Sequence, residues 1–108
     1  MDEFTINEIL NMQKTLQEKY ADKWGDLSPE QGKDYLLWMI GEIGEVIDIV
    51  KKHGSTKVNN SPELKAHLVE ELADVLMYYG DILLCFDITS DELKNSYVNK
   101  FNKNLQRW

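Results

Sequence analysis

The chain has 108 residues and carries 19 acidic against 12 basic side chains, a formal net charge of −7. This acidic excess argues against binding to nucleic acid, because the phosphate backbone requires clustered lysine and arginine. A single cysteine, an acidic N-terminal segment unlike a signal peptide and no apolar run long enough to cross a bilayer together favour a soluble, cytoplasmic protein.

Helix start signals divide the chain into four predicted helices. Thr5 with Glu8, Ser28 with Gln31, and Thr89 with Glu92 each have the spacing of a capping box. The predicted helices run from Thr5 to about Asp22, from Ser28 to about Lys52 before Gly54 as the C-terminal cap, from Ser61 to about Phe86, and from Thr89 onward. Segments 23–27 and 55–60 are predicted loops. With no strand pattern, the sequence predicts one all-α domain, 1–108, built as a four-helix bundle.

Two carboxylates interrupt the apolar second helix, "LLWMIGEIGEVIDIV". We expect its core stripe to consist of Leu36, Ile40, Ile43, Ile47 and Val50. Glu42 and Glu45 point away from that stripe, yet their helical-wheel neighbours are also apolar. Burying an ionised carboxylate without a partner costs several kcal/mol. For this helix alone, a solvent-exposed acidic pair is the simpler interpretation.

The third helix repeats the three-residue spacing at Glu71 and Asp74. A solvated stripe that also includes Glu70 and Asp81 is the alternative for this helix. The short connection between the second and third helices favours antiparallel packing, which would bring the two acidic pairs face to face. With no histidine or cysteine on either stripe, four carboxylates suit a hard cation, Mg²⁺ or Mn²⁺, whose bound water is a nucleophile for phosphorus.

The segments "GEIGE" and "EELADVLMY" resemble the MazG-like, all-α nucleoside triphosphate pyrophosphohydrolases, whose motif is ExxE followed by ExxD. The version with Gly41, together with Tyr78 and the closing segment "NKFNKNLQRW", is most similar to the dCTP pyrophosphatase branch. The resemblance covers roughly residues 5–108. It implies Mg²⁺-dependent hydrolysis of a (deoxy)nucleoside triphosphate to the monophosphate and pyrophosphate by a homodimer or homotetramer. In that case Glu42, Glu45, Glu71 and Asp74 are the metal ligands and catalytic residues.

The resemblance also implies a nucleotide pocket. Gln13 would hydrogen-bond the base, Trp24 would stack on it, and Tyr78 would contact the sugar or order a carboxylate; packing roles are the alternative for the two aromatic residues. Contacts to phosphate or sugar would come from the last helix: Lys100, Asn104 and Arg107. A basic helix end that complements the helix dipole explains these three equally well. Trp38 and Trp108 are interpreted as packing or interface residues.

Two other functions fit the sequence. One is a phosphoribosyl-ATP pyrophosphohydrolase-like enzyme, which "GEIGE" fits less well. The other is a helical oligomer without catalytic activity, acting as a binding or regulatory module. A di-iron bundle is excluded because it requires Glu-x-x-His pairs, which the chain lacks.

Overall fold

The structure, a computed structural model, describes residues 3–107, and all the regular secondary structure in that range is helical. Four long helices alternate with two short ones: α1 (Ile6–Lys19), α2 (Ala21–Trp24), α3 (Pro29–His53), α4 (Ser55–Asn60), α5 (Pro62–Cys85) and α6 (Ser90–Arg107). The all-α class and the four long helices are as predicted. Over the same range, none of the helices is both long and apolar enough to traverse a bilayer.

Side-chain capping hydrogen bonds mark the starts of three of the six helices, α1, α5 and α6. Thr5 Oγ1 accepts a hydrogen bond from the Glu8 backbone N–H, and Ser61 Oγ accepts one from that of Leu64. Thr89 and Glu92 form a complete capping box before α6, since each accepts a hydrogen bond from the other's backbone N–H. Ser28 occupies the predicted N-cap of α3, but its side chain makes no capping hydrogen bond.

Three predicted boundaries need correction. α1 ends at Lys19 rather than near Asp22, because Tyr20 leaves the helical conformation and the chain restarts as α2. The predicted loop 23–27 is therefore shorter, with Trp24 at the end of α2. The predicted loop 55–60 is a helix, α4, whose Val58 is buried and stabilises the helical turn. Gly54 ends α3 as predicted, with φ of 86°, a conformation that glycine adopts without strain.

α3 and α5 form the central antiparallel pair. A Cβ on Gly32 would meet the ring of Phe86, the rings of Tyr35 and Tyr78 lie 6.3 Å apart, and Glu42 lies beside Glu71. Positions later in α3 thus meet positions earlier in α5. α1 packs against α5, and we refer to α1, α3 and α5 as the three-helix bundle. Its core includes Tyr35, Ile82 and Cys85, against which Leu27, Met39 and Tyr78 pack.

The predicted core stripe of α3 is wrong for the single chain. Ile40 and Ile47 are 60% and 56% exposed, and Leu36 and Ile43 are also exposed. The buried residues of α3 are instead Gly32, Tyr35 and Ile49. The helix has two apolar sides, and the side that carries Tyr35 and Glu42 faces α5.

The last helix, α6, packs extensively against none of the other helices and contains no buried residue. Its large apolar side chains are exposed, Tyr97 at 74% and Leu105 at 67%, with Phe101 between them. Four long helices exist as predicted, but only three of them form the bundle within one chain.

Candidate metal centre and nucleotide cleft

Three of the four predicted acidic ligands converge between α3 and α5. Glu42, Glu45 and Glu71 each offer a carboxylate oxygen, and these oxygens all lie within 4.8 Å of one another. Glu42 and Glu45 are about one turn apart on α3, and antiparallel packing places Glu71 of α5 beside them. We call these three residues the acid cluster.

Two oxygens of the acid cluster lack a partner. Glu42 Oε2 and Glu71 Oε2 are buried, and no hydrogen bond to them is found among residues 3–107. A buried carboxylate oxygen without a donor is costly, and like charges at this separation add to the cost. The carboxylate donor set matches the preference of Mg²⁺ or Mn²⁺, so the residues fit a hard divalent cation.

The crowding raises the pKa of two of these acids. Burial is the main cause for Glu42, followed by the charge of Glu45. For Glu71 the main cause is a hydrogen bond shared with Glu45, followed by burial, and both raise its pKa. Protonation of these carboxylates thus reduces the repulsion between them when no cation is bound. A bound cation would compete with the protons for the same oxygens.

His67 corrects the prediction that no histidine accompanies the acids. It lies one turn before Glu71 on α5, with its Nε2 3.5 Å from Glu71 Oε1, and its charge opposes only part of the rise in the Glu71 pKa. The spacing of four residues between His67 and Glu71 places both side chains on one face of a helix, so this contact could have been predicted from the sequence. His67 is mostly exposed, so this contact is a surface ion pair when the imidazole is protonated.

Asp74, the fourth predicted ligand, lies beside the acid cluster rather than within it. Its negative charge contributes to the raised pKa of both Glu42 and Glu71. The side chain lines the adjoining cleft together with Glu42. Its role as a ligand stays a prediction.

A cleft of about 470 Å³ opens next to the acid cluster. It is lined by residues of α1 to α3 and α5: Gln13, Leu16, Gln17, Lys23, Trp24, Tyr35, Trp38, Glu42, Asp74, Met77, Tyr78 and Asp81. The residues predicted for the nucleotide base and sugar, Gln13, Trp24 and Tyr78, therefore share one cavity with two of the predicted metal ligands. Its volume lies in the usual range for small-molecule sites.

Several lining residues were not predicted. Trp38, interpreted from sequence as a packing or interface residue, lines the cleft, and its ring packs against Tyr35 and Tyr78 at 5.0 and 6.4 Å. The signal was available, because Trp38 precedes Glu42 by one helical turn and so shares its face. Lys23 adds a cationic side chain to the cleft.

Asp81 also belongs to the cleft instead of to a solvated acidic stripe. It is 4% exposed, and its Oδ1 accepts hydrogen bonds from the side-chain amides of Gln13 and Gln17, at 2.9 and 3.2 Å. Burial raises the pKa of Asp81, and the two amide hydrogen bonds oppose that shift. This network joins α1 to α5 at the floor of the cleft.

The residues predicted on the last helix are elsewhere. Lys100, Asn104 and Arg107 are exposed on α6 and do not line the cleft of their own chain. Trp108 lies outside the described residues.

Comparison with known proteins identifies the family. The model of the MazG nucleotide pyrophosphohydrolase domain matches residues 30–105, which include the acid cluster, Asp74 and most of the cleft wall. Neither curated proteins nor solved structures provide a match to the chain. The family match covers well over half of the sequence. The chain therefore belongs to the MazG nucleotide pyrophosphohydrolase family, enzymes that hydrolyse the pyrophosphate bonds of nucleotides.

Proposed function

We propose that this enzyme is a Mg²⁺-dependent nucleoside triphosphate pyrophosphohydrolase, with Mn²⁺ as an alternative ion. It converts a (deoxy)nucleoside triphosphate, a pyrimidine such as dCTP being the first candidate, to the monophosphate and pyrophosphate, and so removes surplus nucleotides. The observation that carries the proposal is the pair of buried oxygens of Glu42 and Glu71, which have no hydrogen-bond partner among residues 3–107 and lie beside an aromatic cleft.

The acid cluster and Asp74 would hold the ion. Once bound, the ion neutralises phosphate charge and activates water for attack on phosphorus. One glutamate accepts the proton of the attacking water while the bond between the first and second phosphate groups breaks. An enzyme with a net charge of −7 needs this cation to bind a polyanionic substrate at its own carboxylates.

The remainder of the cleft suits the nucleoside. Trp24 and Trp38 are half exposed and line the cavity, which gives a planar base aromatic surfaces on which to stack. Gln13 supplies a polar group for the base edge, and Tyr78 lies between the aromatic residues and the acids. Lys23 provides a positive charge for a phosphate oxygen.

We also propose that the working form is a homodimer or homotetramer. The exposed apolar residues of α3 and the unpacked apolar face of α6 are unfavourable in a monomer. Contacts from Lys100, Asn104 and Arg107 to phosphate or sugar would then come from a second copy, because these residues do not line the cleft of their own chain.

We further propose that 1–108 form one domain, located in the cytoplasm. α1 precedes the segment that matches the family, yet Gln13 and Gln17 connect it to Asp81 within that segment. A single buried, unpaired Cys85 is consistent with a reducing compartment.

The test is pyrophosphate release from a panel of ribo- and deoxyribonucleoside triphosphates, with Mg²⁺, with Mn²⁺ and with EDTA. We expect release only with a divalent ion, one pyrophosphate for each monophosphate formed. Turnover of no nucleotide under any condition would overturn the proposal and favour a binding module without catalysis.

A further inference from the structure

The buried carboxylate of Asp81 controls the orientation of two amides. Gln13 Nε2 and Gln17 Nε2 donate to the same atom, Asp81 Oδ1, at 2.9 and 3.2 Å. All three side chains are buried, with exposures of 4, 7 and 4% for Gln13, Gln17 and Asp81. An ionised carboxylate only accepts hydrogen bonds, so the NH₂ group of each glutamine must face it.

The amide of Gln13 is held firmly in this orientation. A half-turn of the amide would place its oxygen against Asp81 Oδ1, so that two buried acceptors would repel each other and a hydrogen bond would be lost. The glutamine stem is also confined, because a Cβ on Gly80 would lie 3.1 Å from Gln13 Cγ. The close approach of α1 to α5 therefore fixes both the stem and the amide.

The two glutamines differ in what they can offer a ligand. Gln17 uses its oxygen internally, since Tyr35 O–H donates to Gln17 Oε1 at 3.5 Å. Gln13 lines the cleft and donates one Nε2 hydrogen to Asp81, so Oε1 is the acceptor that it can offer the base, beside the second Nε2 hydrogen. The cleft wall thus offers a base a fixed acceptor on Gln13.

A fixed acceptor distinguishes the bases by chemistry. Cytosine and adenine carry an amino group, a donor, where uracil, thymine and hypoxanthine carry a carbonyl oxygen, an acceptor. An acceptor aimed at this position in a carbonyl base meets the lone pairs of that oxygen and is repelled, because the ring N–H donor lies one position further along the base edge. We propose, building on the function proposed above, that Asp81 is a positioning residue that aims the Gln13 oxygen at the base, and that the enzyme consequently prefers nucleotides whose base carries the exocyclic amino group of cytosine or adenine.

The test uses two substrate pairs that differ only in this group, dCTP with dUTP and dATP with dITP. We expect kcat/KM to favour the amino member of each pair by about tenfold or more, the value of one well-placed hydrogen bond. Binding of the corresponding monophosphates, followed by tryptophan fluorescence, should show the same preference.

Two variants test whether Asp81 positions the Gln13 amide or only stabilises the fold. Asp81→Asn has nearly the same shape but can either donate or accept, so Gln13 can turn and the amino preference should fall to about one. Gln13→Met removes the accepting oxygen while Gln17 still binds Asp81, and it should have the same effect if Asp81→Asn does not fold. The matched control is Asp87→Asn, an exposed aspartate at φ of 53°, a conformation that asparagine tolerates.

Each outcome has a distinct meaning. Hydrolysis of both members of each pair at equal kcat/KM would overturn the base preference while supporting the proposed function. A parallel loss for all substrates in Asp81→Asn, with the preference unchanged in both variants, would reduce Asp81 to a structural residue. Amino-selective binding of monophosphates without any turnover of triphosphates would support this inference and overturn the proposed function.

Discussion

Glu45 connects the acidic residues of the two central helices. Burial is the main cause of the raised pKa of Glu42, and the charge of Glu45 on the same helix adds to it. The hydrogen bond with Glu45 is the main cause of the raised pKa of Glu71 on α5. Glu45 is the exposed member of the acid cluster, whereas Glu42 and Glu71 each bury an oxygen that has no hydrogen-bond partner in the described part of the chain. The site is thus destabilised by the feature that suits it to a cation, a common property of functional sites.

Neutralising Glu45 tests whether the acid cluster lowers the stability of the fold while it supports activity. Glu45→Gln should lower kcat by at least about a hundredfold, because it weakens the electrostatic environment of the reaction. The free energy of unfolding of the metal-free protein, from urea denaturation, should stay equal or rise, since repulsion is relieved. Glu70→Gln, an exposed neighbour of the cluster, is the control and should alter neither quantity. Unfolding of Glu45→Gln would assign the carboxylate to the structure instead.

The acid cluster should also make stability depend on pH. The raised pKa values of Glu42 and Glu71 mean that the folded state binds protons more tightly than the unfolded chain. Metal-free protein should therefore lose stability as the pH rises above the ordinary glutamate pKa of about 4.3, through the raised values. Urea denaturation with EDTA at a series of pH values measures this slope.

Mg²⁺ should reverse that loss at neutral pH. An ion present at a hundred times its dissociation constant adds about 2.7 kcal/mol to the free energy of unfolding. Equal stability at neutral pH with Mg²⁺ and with EDTA, in the absence of nucleotide, would contradict binding of the ion by the free enzyme.

Among individual residues, the sequence predicted the grouping of the acids better than the composition of the cleft wall. Repeated spacing of the acids, at positions 42 and 45 and at 71 and 74, is visible without a structure, and three of these residues meet as expected. The place of Trp38 and Asp81 in the cleft was missed, because it depends on how far α3 rotates toward α5 and how closely α1 approaches. Those quantities arise from packing between helices, which local periodicity does not encode.

At the level of the helices, the close contact between α1 and α5 determines the shape of one side of the cleft. A Cβ on Gly80 would lie 2.9 Å from Ile9 Cγ2 and 3.1 Å from Gln13 Cγ. Glycine at this position lets α1 approach closely enough for Gln13 and Gln17 to reach Asp81. The absence of a side chain at Gly80 therefore determines the position of one wall of the cleft.

Gly80→Ala should push α1 away from α5. We expect a loss of about 1–3 kcal/mol in the free energy of unfolding and a higher KM for nucleotide, because overpacking moves Gln13. Gly41→Ala is the matched control: its Cβ would meet nothing within 4 Å, so it should stabilise α3 by about 0.5–1 kcal/mol. Thermal and urea denaturation of both variants provide the measurement, and a stabilised Gly80→Ala would contradict this account.

The starts of the four long helices were predictable, whereas the buried face of α3 was not. Capping residues act within one turn, so Thr5, Ser61 and Thr89 could be recognised from neighbours in the sequence. The buried side of α3 was assigned wrongly, because that helix has two apolar sides and its partners decide which one is covered. α4 was taken for a loop, since six residues are too few for a helical period to be visible.

Over residues 3–107, the exposed large apolar side chains include many on α3 and α6, together with several on α5. Substituting Ile40, 60% exposed on the uncovered side of α3, tests whether a second copy covers it. Ile40→Lys should shift the protein toward monomer in sedimentation velocity experiments, because a buried lysine would have no partner there. The control is Gln31→Lys. Gln31 lies on the opposite side of the same helix, so this substitution should leave the assembly unchanged. Monomeric native protein at micromolar concentration would contradict the proposed assembly.

The isolation of α6 has a consequence for how the chain folds. Eighteen residues with a capping box at one end and no buried side chain form only a marginal helix in water. If another copy supplies the missing contacts, ordering of this segment and subunit association become a single event. Dilution should then reduce the far-ultraviolet circular dichroism of the protein, while the near-ultraviolet signal of Trp38 and Tyr35 in the three-helix bundle persists.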